Sequence, residues 1–188
     1  MRGLLVAVGE VPDALMHDLQ DFLASSLPGT EWEVHASTVD PPTAALNPTR
    51  NQFNSTLLLQ TLRSLVSKEH RFCLFVTDVD LYADDLNFVF GEAELGGRFA
   101  TVSVSRLRPE FHGEARDEEL VLRRLRKEAI HEMGHVLGLR HCGNPFCVMH
   151  FSNTLSETDL KSEGLCRSCE TILKASLDFS KRFLRYQR

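Results

Sequence analysis

The first half of the chain alternates between short apolar segments and longer segments with helical spacing. Five segments have the apolar runs or the alternation typical of strands: residues 4–8, 31–36, 71–77, 87–94 and 99–105. Two segments between them have the spacing of amphipathic helices, residues 12–26 and 54–68. The turn sequence Leu95-Gly96-Gly97-Arg98 joins the last two strands into a hairpin. This order predicts an α/β (α+β) fold, a mixed twisted sheet with helices packed on it.

A longer helix is predicted next, because Leu122, Leu125, Ala129 and Val136 form an apolar stripe that can pack against the sheet. The basic stretch at residues 123–127 is predicted to lie on a solvated face of this helix, balanced by Asp117, Glu118, Glu119 and Glu128. Two further elements are expected, an irregular segment and a C-terminal helix, at residues 139–168 and 169–184.

The end of the long helix carries the pattern H-E-x-x-H-x-x-G-x-x-H. His131 and His135 are four residues apart, so they lie on one helical face and can bind one Zn²⁺ together. Gly138 adopts a positive φ at little cost, so the chain can turn there and bring His141 back as a third ligand. Three protein ligands leave the fourth position for water and substrate, as a catalytic zinc requires. Glu132, rotated off the ligand face, is the candidate base.

A zinc-dependent peptidase is the function that this pattern favours. Zinc lowers the pKa of a bound water to about 7, and Glu132 would accept its proton before the water attacks the peptide carbonyl. A different class remains open, a peptide-binding or structural zinc protein that turns over nothing in isolation. Hydrolysis of a non-peptide amide is a third possibility, since the zinc pattern alone would permit it.

Four cysteines close behind the motif form a second candidate metal site. Cys142, Cys147, Cys166 and Cys169 read C-x4-C…C-x2-C, a spacing that suits a structural zinc with four thiolates. Two disulfides are the competing interpretation, and they need an oxidising compartment. The N-terminus is typical of a first strand and not of a signal peptide, so we expect a cytoplasmic protein with zinc on reduced thiols. The fifth cysteine, Cys73, is predicted to be a buried core thiol.

Length and composition predict one domain and few partners. The 188 residues are expected to fold as a single domain, with the sheet and zinc helix in 1–138 and the C-terminal part in 139–188. A net charge of −5 gives no reason to expect a nucleic-acid partner. No apolar run approaches the ~20 residues needed to cross a bilayer, so no membrane partner is expected. We expect a monomer that acts on a peptide or protein substrate.

The zinc motif, the cysteine quartet and Met149 together resemble the archaemetzincin family, in its small, single-domain archaeal form. Three other stretches are also similar to that family, residues 50–55, 87–93 and 161–164. The spacer of sixteen residues between Met149 and Cys166 is one shorter than the usual form. The resemblance implies a metzincin-like fold, a catalytic zinc on the three histidines with Glu132 as general base, and a second zinc on the four cysteines. It implies peptidase, including aminopeptidase, activity.

The resemblance also implies roles for residues around the metal. Met149 would pack beneath the zinc without binding it, as in the Met-turn of metzincins. Some metzincins have a tyrosine two residues later that contacts the zinc, whereas here Phe151 has no hydroxyl. An edge strand above the zinc helix would bind the substrate backbone, and Phe90, Gly91 and Glu92 are the candidates. An internal strand with a bulge is the competing interpretation of those three residues.

Overall fold

The computed structural model describes residues 1–67 and 69–186, with residues 180–186 described by their backbone. Eight strands lie in these ranges: β1 Arg2–Val8, β2 Glu31–Val34, β3 Leu46–Asn47, β4 Gln52–Asn54, β5 Phe72–Thr77, β6 Leu81–Tyr82, β7 Gly91–Ala93 and β8 Phe99–Ser103. Five α-helices are described: α1 Asp13–Ser26, α2 Ser55–Leu62, α3 Glu118–Val136, α4 Leu155–Leu160 and α5 Arg167–Tyr186. Short 3-10 turns lie at Thr43–Ala45, Arg63–Leu65 and Pro109–His112.

A five-stranded mixed sheet organises the molecule, in the order β2-β1-β5-β8-β7. The first four strands are parallel, and β7 runs antiparallel at the edge beside β8. A small three-stranded sheet, β3-β4-β6, flanks it. The predicted α/β fold with a mixed sheet and packed helices is confirmed.

The sheet separates two hydrophobic clusters because its central strands are buried on both faces, as parallel sheets require. In β1 successive side chains alternate between the clusters, with Leu5 and Ala7 on one face and Leu4 and Val6 on the other. The first cluster is the larger and contains residues of α1, α3 and α5. Helix α3, which carries the zinc motif, is therefore fixed directly against the sheet. Among the described residues no helix is both long and apolar enough to cross a membrane.

Several predicted boundaries differ from the structure. Helix α2 ends at Leu62 and continues only as a 3-10 turn, and the predicted end at Lys68 lies outside the described residues. The strand predicted at 87–94 is shortened to β7, because the chain before it forms a loop in which Asp85 has a φ of 68°. The segment predicted to be irregular contains α4, whose N-terminus is a capping box of Thr154 and Glu157.

The predicted solvated face of the zinc helix is wrong for Arg124 and Glu128. Arg124 is 4 % exposed, and its guanidinium donates to both carboxylate oxygens of Asp159 at 2.7 and 2.6 Å. Glu128 is 3 % exposed and lies 2.9 Å from the ammonium of the fully buried Lys161. The partners come from residues more than thirty positions later, so helical spacing alone does not reveal them. These ion pairs fix the segment around α4 to α3.

Candidate active site and metal centres

Helix α3 delivers the first two histidines, and both of its ends are well defined. Asp117 caps its start by accepting a hydrogen bond from the Leu120 amide at 2.9 Å. The helix stops before Gly138, whose φ is 88° and whose amide donates to the carbonyl of His135 at 2.9 Å. Such a φ suits glycine, so the predicted turn is present where the motif needs it. The turn brings His141 over the end of α3.

The three histidine side chains converge on one point. The possible ligand atoms of His131, His135 and His141 all lie within 4.8 Å of one another. The Nε2 atoms of His131 and His135 are 3.2 Å apart, close to the about 3.3 Å expected for two nitrogens of a tetrahedral zinc site. The Nδ1 atoms of the same two rings lie 2.8 Å from the carbonyls of Val148 and Leu139. Donation to those carbonyls places the proton on Nδ1 and leaves Nε2 free for a metal.

Burial keeps these rings in the form that binds a metal. It lowers the pKa of His131 well below its ordinary value, with the charge of Lys161 as the next cause. Burial also lowers the pKa values of His135 and His141. Imidazole must be neutral to bind zinc, so the site is prepared for a metal at neutral pH. The donor atoms, their spacing and their protonation all fit Zn²⁺.

Glu132 lies beside this site, buried and close to the edge strand. Only 5 % of it is exposed, and a β-carbon added at Gly91 would lie 2.7 Å from its Oε1. Burial raises the pKa of the Glu132 carboxyl well above its ordinary value, and the nearby charge of Glu128 raises it further. A carboxylate with a raised pKa is a stronger base, as proton abstraction from water requires.

The cysteine quartet also converges. The four sulfurs of Cys142, Cys147, Cys166 and Cys169 lie within 4.8 Å of one another, and none is in a disulfide. The Cys142 and Cys166 sulfurs are 3.8 Å apart, matching the about 3.8 Å edge of a tetrahedral zinc–thiolate site. A hydrogen bond from the Cys169 backbone is the main cause that lowers the pKa of Cys166 to about 7, whereas burial raises that of Cys169. Burial raises the pKa of the separate Cys73 thiol to about 12, consistent with an inert core residue.

A backbone hydrogen bond joins the two clusters beneath the histidines. The Cys142 amide donates to the carbonyl of Met149 at 2.9 Å, directly after the third histidine. Met149 is fully buried, and its sulfur occupies the space where a side chain at Gly134 would lie, 2.4 Å from that added carbon. Met149 thus packs against the zinc helix from below. The ring of Phe151 lies 4.9 Å from that of His141, and it presents carbon to the site.

A cavity of about 550 Å³ opens over the histidines, Glu132 and the edge strand. The three candidate substrate residues Phe90, Gly91 and Glu92 all line it. The carboxylate of Glu92 is already engaged, because it accepts hydrogen bonds from the hydroxyls of Ser55 and Thr56 at the start of α2. Glu92 therefore ties the edge strand to α2.

The pairing of β7 leaves one side of this strand open. The Phe90 carbonyl accepts from Ser103 and the Glu94 amide donates to Phe99, so the residues between them alternate in direction. In this register the backbone groups of Gly91 and Ala93 face away from β8. An extended peptide could pair with that edge.

Sequence reasoning missed three buried residues near the site, Glu128, Thr158 and Lys161. The hydroxyl of Thr158 and the ammonium of Lys161 both contact Oε1 of Glu128 at 2.9 Å. Glu128 lies one helical turn before Glu132, and it lines the cavity. The spacing of four residues between the two glutamates was a signal in the sequence, since it places both carboxylates on one helical face.

Comparison with known proteins agrees with this geometry. The sequence profile of Peptidase family M54 matches residues 27–175. An archaemetzincin from Methanocaldococcus jannaschii is 45 % identical over 90 % of each chain. The crystal structure of archaemetzincin from Methanopyrus kandleri superposes with a TM-score of 0.83 at 38 % identity, covering 95 % of this chain and 96 % of the other. A zinc-dependent peptidase structure from Methanocorpusculum labreanum gives 0.83 at 29 % identity, covering 92 % and 100 %.

The fold and the histidine site, taken with these relatives, define a zinc metallopeptidase of the metzincin type. The chain belongs to Peptidase family M54, the family of the archaemetzincins. The expected fold, enzyme class and family resemblance are confirmed.

Proposed function

We propose that the chain hydrolyses peptide bonds at a zinc held by His131, His135 and His141, with Glu132 as the general base. The observation that carries the proposal is the convergence of three histidine ring nitrogens within 4.8 Å of one another, beside a buried carboxylate. When bound, zinc supplies a Lewis acid that polarises a carbonyl and acidifies water. All four residues line the cavity where a substrate would enter.

In this proposal the proton moves through Glu132. Its carboxylate accepts the proton of the attacking water and then donates it to the nitrogen of the leaving amine. The Glu132 carboxylate is held at the cavity by its position next to Gly91 and by the well-defined C-terminal end of α3. The backbone carbonyls that bind the Nδ1 atoms of His131 and His135 keep both rings oriented. Phe151 has no hydroxyl and so takes no part in proton transfer, which is assigned to Glu132.

We infer that the substrate binds as an additional strand on β7. The open backbone groups of Gly91 and Ala93 supply the hydrogen bonds, and the strand runs directly past Glu132. Phe90 contributes an apolar wall, since it is 6 % exposed and lies edge-on to Phe88 at 5.2 Å. Glu92 acts indirectly, because its hydrogen bond from Thr56 holds β7 against the start of α2. Sequence-independent backbone pairing favours a peptide over a small amide.

We also propose a second, structural zinc on Cys142, Cys147, Cys166 and Cys169, supported by the spacing of their sulfurs. The four unpaired thiols favour a reducing, cytoplasmic location. A single domain of residues 1–188 is supported by the larger hydrophobic cluster, which includes residues from β1 through to α5. The net charge of −5 supports the expectation that nucleic acid is not a partner.

Removing the base tests the proposal. Glu132→Ala should lower kcat/KM by about 10²–10⁴-fold, because general-base catalysis contributes that much. Zinc content, measured on the same sample by mass spectrometry, should stay at the wild-type value since Glu132 is not a ligand. A mixed peptide library, read for internal and terminal cuts, gives the activity. Full activity in Glu132→Ala would reject the mechanism. Bound zinc with no cleavage by the wild type would favour a binding protein.

A further inference from the structure

Glu128 is a buried carboxylate in the cavity that the proposed mechanism does not use. It lies one helical turn before Glu132 on the same face of α3, and it lines the same cavity. Only 3 % of the residue is exposed. Burying a carboxylate is costly unless it is paired and hydrogen-bonded, so each of its oxygens needs a partner.

Only one of the two oxygens has its partners within the chain. Oε1 accepts a hydrogen bond from the Thr158 hydroxyl at 2.9 Å and forms an ion pair with the Lys161 ammonium at 2.9 Å. Lys161 is itself fully buried, and its ammonium has no other partner among the residues that the structure describes. Oε2 of Glu128 accepts no hydrogen bond from those residues. The carboxylate is therefore fixed through Oε1, and Oε2 is left without a partner among those residues in a side chain that lines the cavity.

The charges around the cavity favour a cation at that oxygen. Four carboxylates line the cavity, and no lysine or arginine does so in the described part of the chain: the carboxylates belong to Asp84, Glu92, Glu128 and Glu132. The lining of the cavity is therefore acidic, and it attracts positive ligands.

We propose that Oε2 of Glu128 binds a protonated nitrogen of the peptide substrate, either its N-terminal ammonium or the side chain of lysine or arginine. This specificity rests on the proposed peptidase function. One helical turn rises about 5.4 Å, and an extended peptide rises about 3.3 Å per residue. The cation therefore lies within two residues of the bond that Glu132 acts on. Charge-assisted hydrogen bonds to a rigid carboxylate are strong, and they select for charge.

Three zinc-binding probes separate the two sources of the cation. Norleucine hydroxamate carries a free ammonium, Nα-acetyl-lysine hydroxamate carries a cationic side chain, and Nα-acetyl-norleucine hydroxamate carries neither. Binding to the zinc-loaded wild type is measured by calorimetry, so no turnover is needed. At least one cationic probe should bind about 10-fold more tightly than the neutral one. The cationic probe that binds more tightly shows whether the cation is the N-terminal ammonium or a side chain.

The variant Glu128→Gln/Lys161→Met removes the carboxylate and its buried counter-charge together, so that no charge is left unpaired. It should reduce the preference for the cationic probe to below about 3-fold while zinc content stays unchanged. Asp84→Asn is the matched control, since it removes the same charge from an exposed residue of the cavity wall. It should retain most of the preference because exposed charges are screened. Glu128→Gln alone, which keeps an acceptor for Thr158, replaces the double variant if that fails to fold.

Equal binding of all three probes to the wild type, or no binding of the cationic ones, overturns the assignment. So does a preference that Glu128→Gln leaves unchanged or that Asp84→Asn removes equally. These outcomes can be told apart from those of the Glu132→Ala experiment. Cleavage of peptides without a cation preference rejects the Glu128 assignment alone, and a cation preference without cleavage rejects the peptidase proposal alone.

Discussion

Glu132 and Gly91 contact each other where the zinc helix passes beneath the edge strand. A side chain at Gly91 would meet the Thr101 carbonyl at 2.6 Å and Oε1 of Glu132 at 2.7 Å. The carbonyl belongs to β8, which pairs with β7 in the sheet, so moving it would disturb that pairing. The absence of a side chain at Gly91 thus leaves room for the carboxylate of Glu132, the proposed base, and for the proposed approach of a peptide.

Gly91→Ala should therefore lower kcat/KM by at least about 10-fold, since misplacing a catalytic group by about 1 Å can cost 100-fold. Zinc content should not change, because the histidines are not displaced. Gly143→Ala is the matched control, as an added carbon there meets nothing within 4 Å. Peptide cleavage and zinc content are measured for both. Activity equal to wild type in Gly91→Ala would mean that the edge strand adapts freely.

The sequence predicts the position and conformation of a residue well when these depend on its neighbours along the chain. Spacing along one helix explains His131 and His135, and the positive φ at Gly138 follows from the glycine itself. The buried charges of Arg124 and Glu128 could not be predicted in this way. Their partners lie more than thirty residues later in the chain, and only the tertiary fold brings them together.

At the scale of elements, the ends of the helices decide where chemical groups lie. The capping box of α4, Thr154 with Glu157, has the T-x-x-E signature, yet the segment was predicted to be irregular. That helix is only six residues long, too short for a clear apolar pattern. The shortened β7 has a different cause, since the preceding loop lines the cavity and pairs with β6 through a single isolated bridge, between Val89 and Leu81. The hydrophobic pattern of the sequence thus predicts short helices and strands poorly.

Removing the cap of the zinc helix should lower stability but not activity. Asp117→Ala loses the hydrogen bond to the Leu120 amide, which typically costs about 1 kcal/mol. For a protein of this size that corresponds to a fall in Tm of about 2–4 °C. Glu114→Ala, also exposed and three residues earlier, is the control and should leave Tm unchanged. Since the cap lies at the opposite end of α3 from the motif, a large loss of kcat in Asp117→Ala would contradict this account.

At the scale of the whole molecule, we expect the stability of the C-terminal segment to depend on its cysteines. It buries few apolar side chains of its own, apart from residues such as Val148 and Met149 beneath the histidines. Cys147→Ala should reduce the zinc content from two ions per chain to one and cost several kcal/mol of stability. Cys73→Ala, an equally buried cysteine, should keep both zincs and lose only about 1 kcal/mol. Equal zinc content in the two variants would reject the structural site.

The stability of the metal-free protein should fall in mild acid. Burial lowers the folded-state pKa values of His131, His135 and His141, so below their ordinary value of 6.5 the unfolded chain binds more protons. Stability is thus lost as pH falls from about 7.5 to about 5.5, as measured by denaturant titration after chelation. Glu132 has a raised pKa and acts in the opposite direction, so the Glu132→Gln background gives the clearer result. Constant stability across this range would contradict burial of the neutral rings.

The direct succession of His141 and Cys142 has a consequence for biosynthesis. A ribosome releases His131 and His135 well before Cys166 and Cys169, so a partly made chain holds two histidines without the contacts that fix the third. Those contacts need later residues, since the Val148 amide binds the carbonyl of Gly164 and the Cys166 amide binds the Cys147 sulfur. The third histidine of the proposed site is therefore fixed only after the chain has been made as far as Cys166.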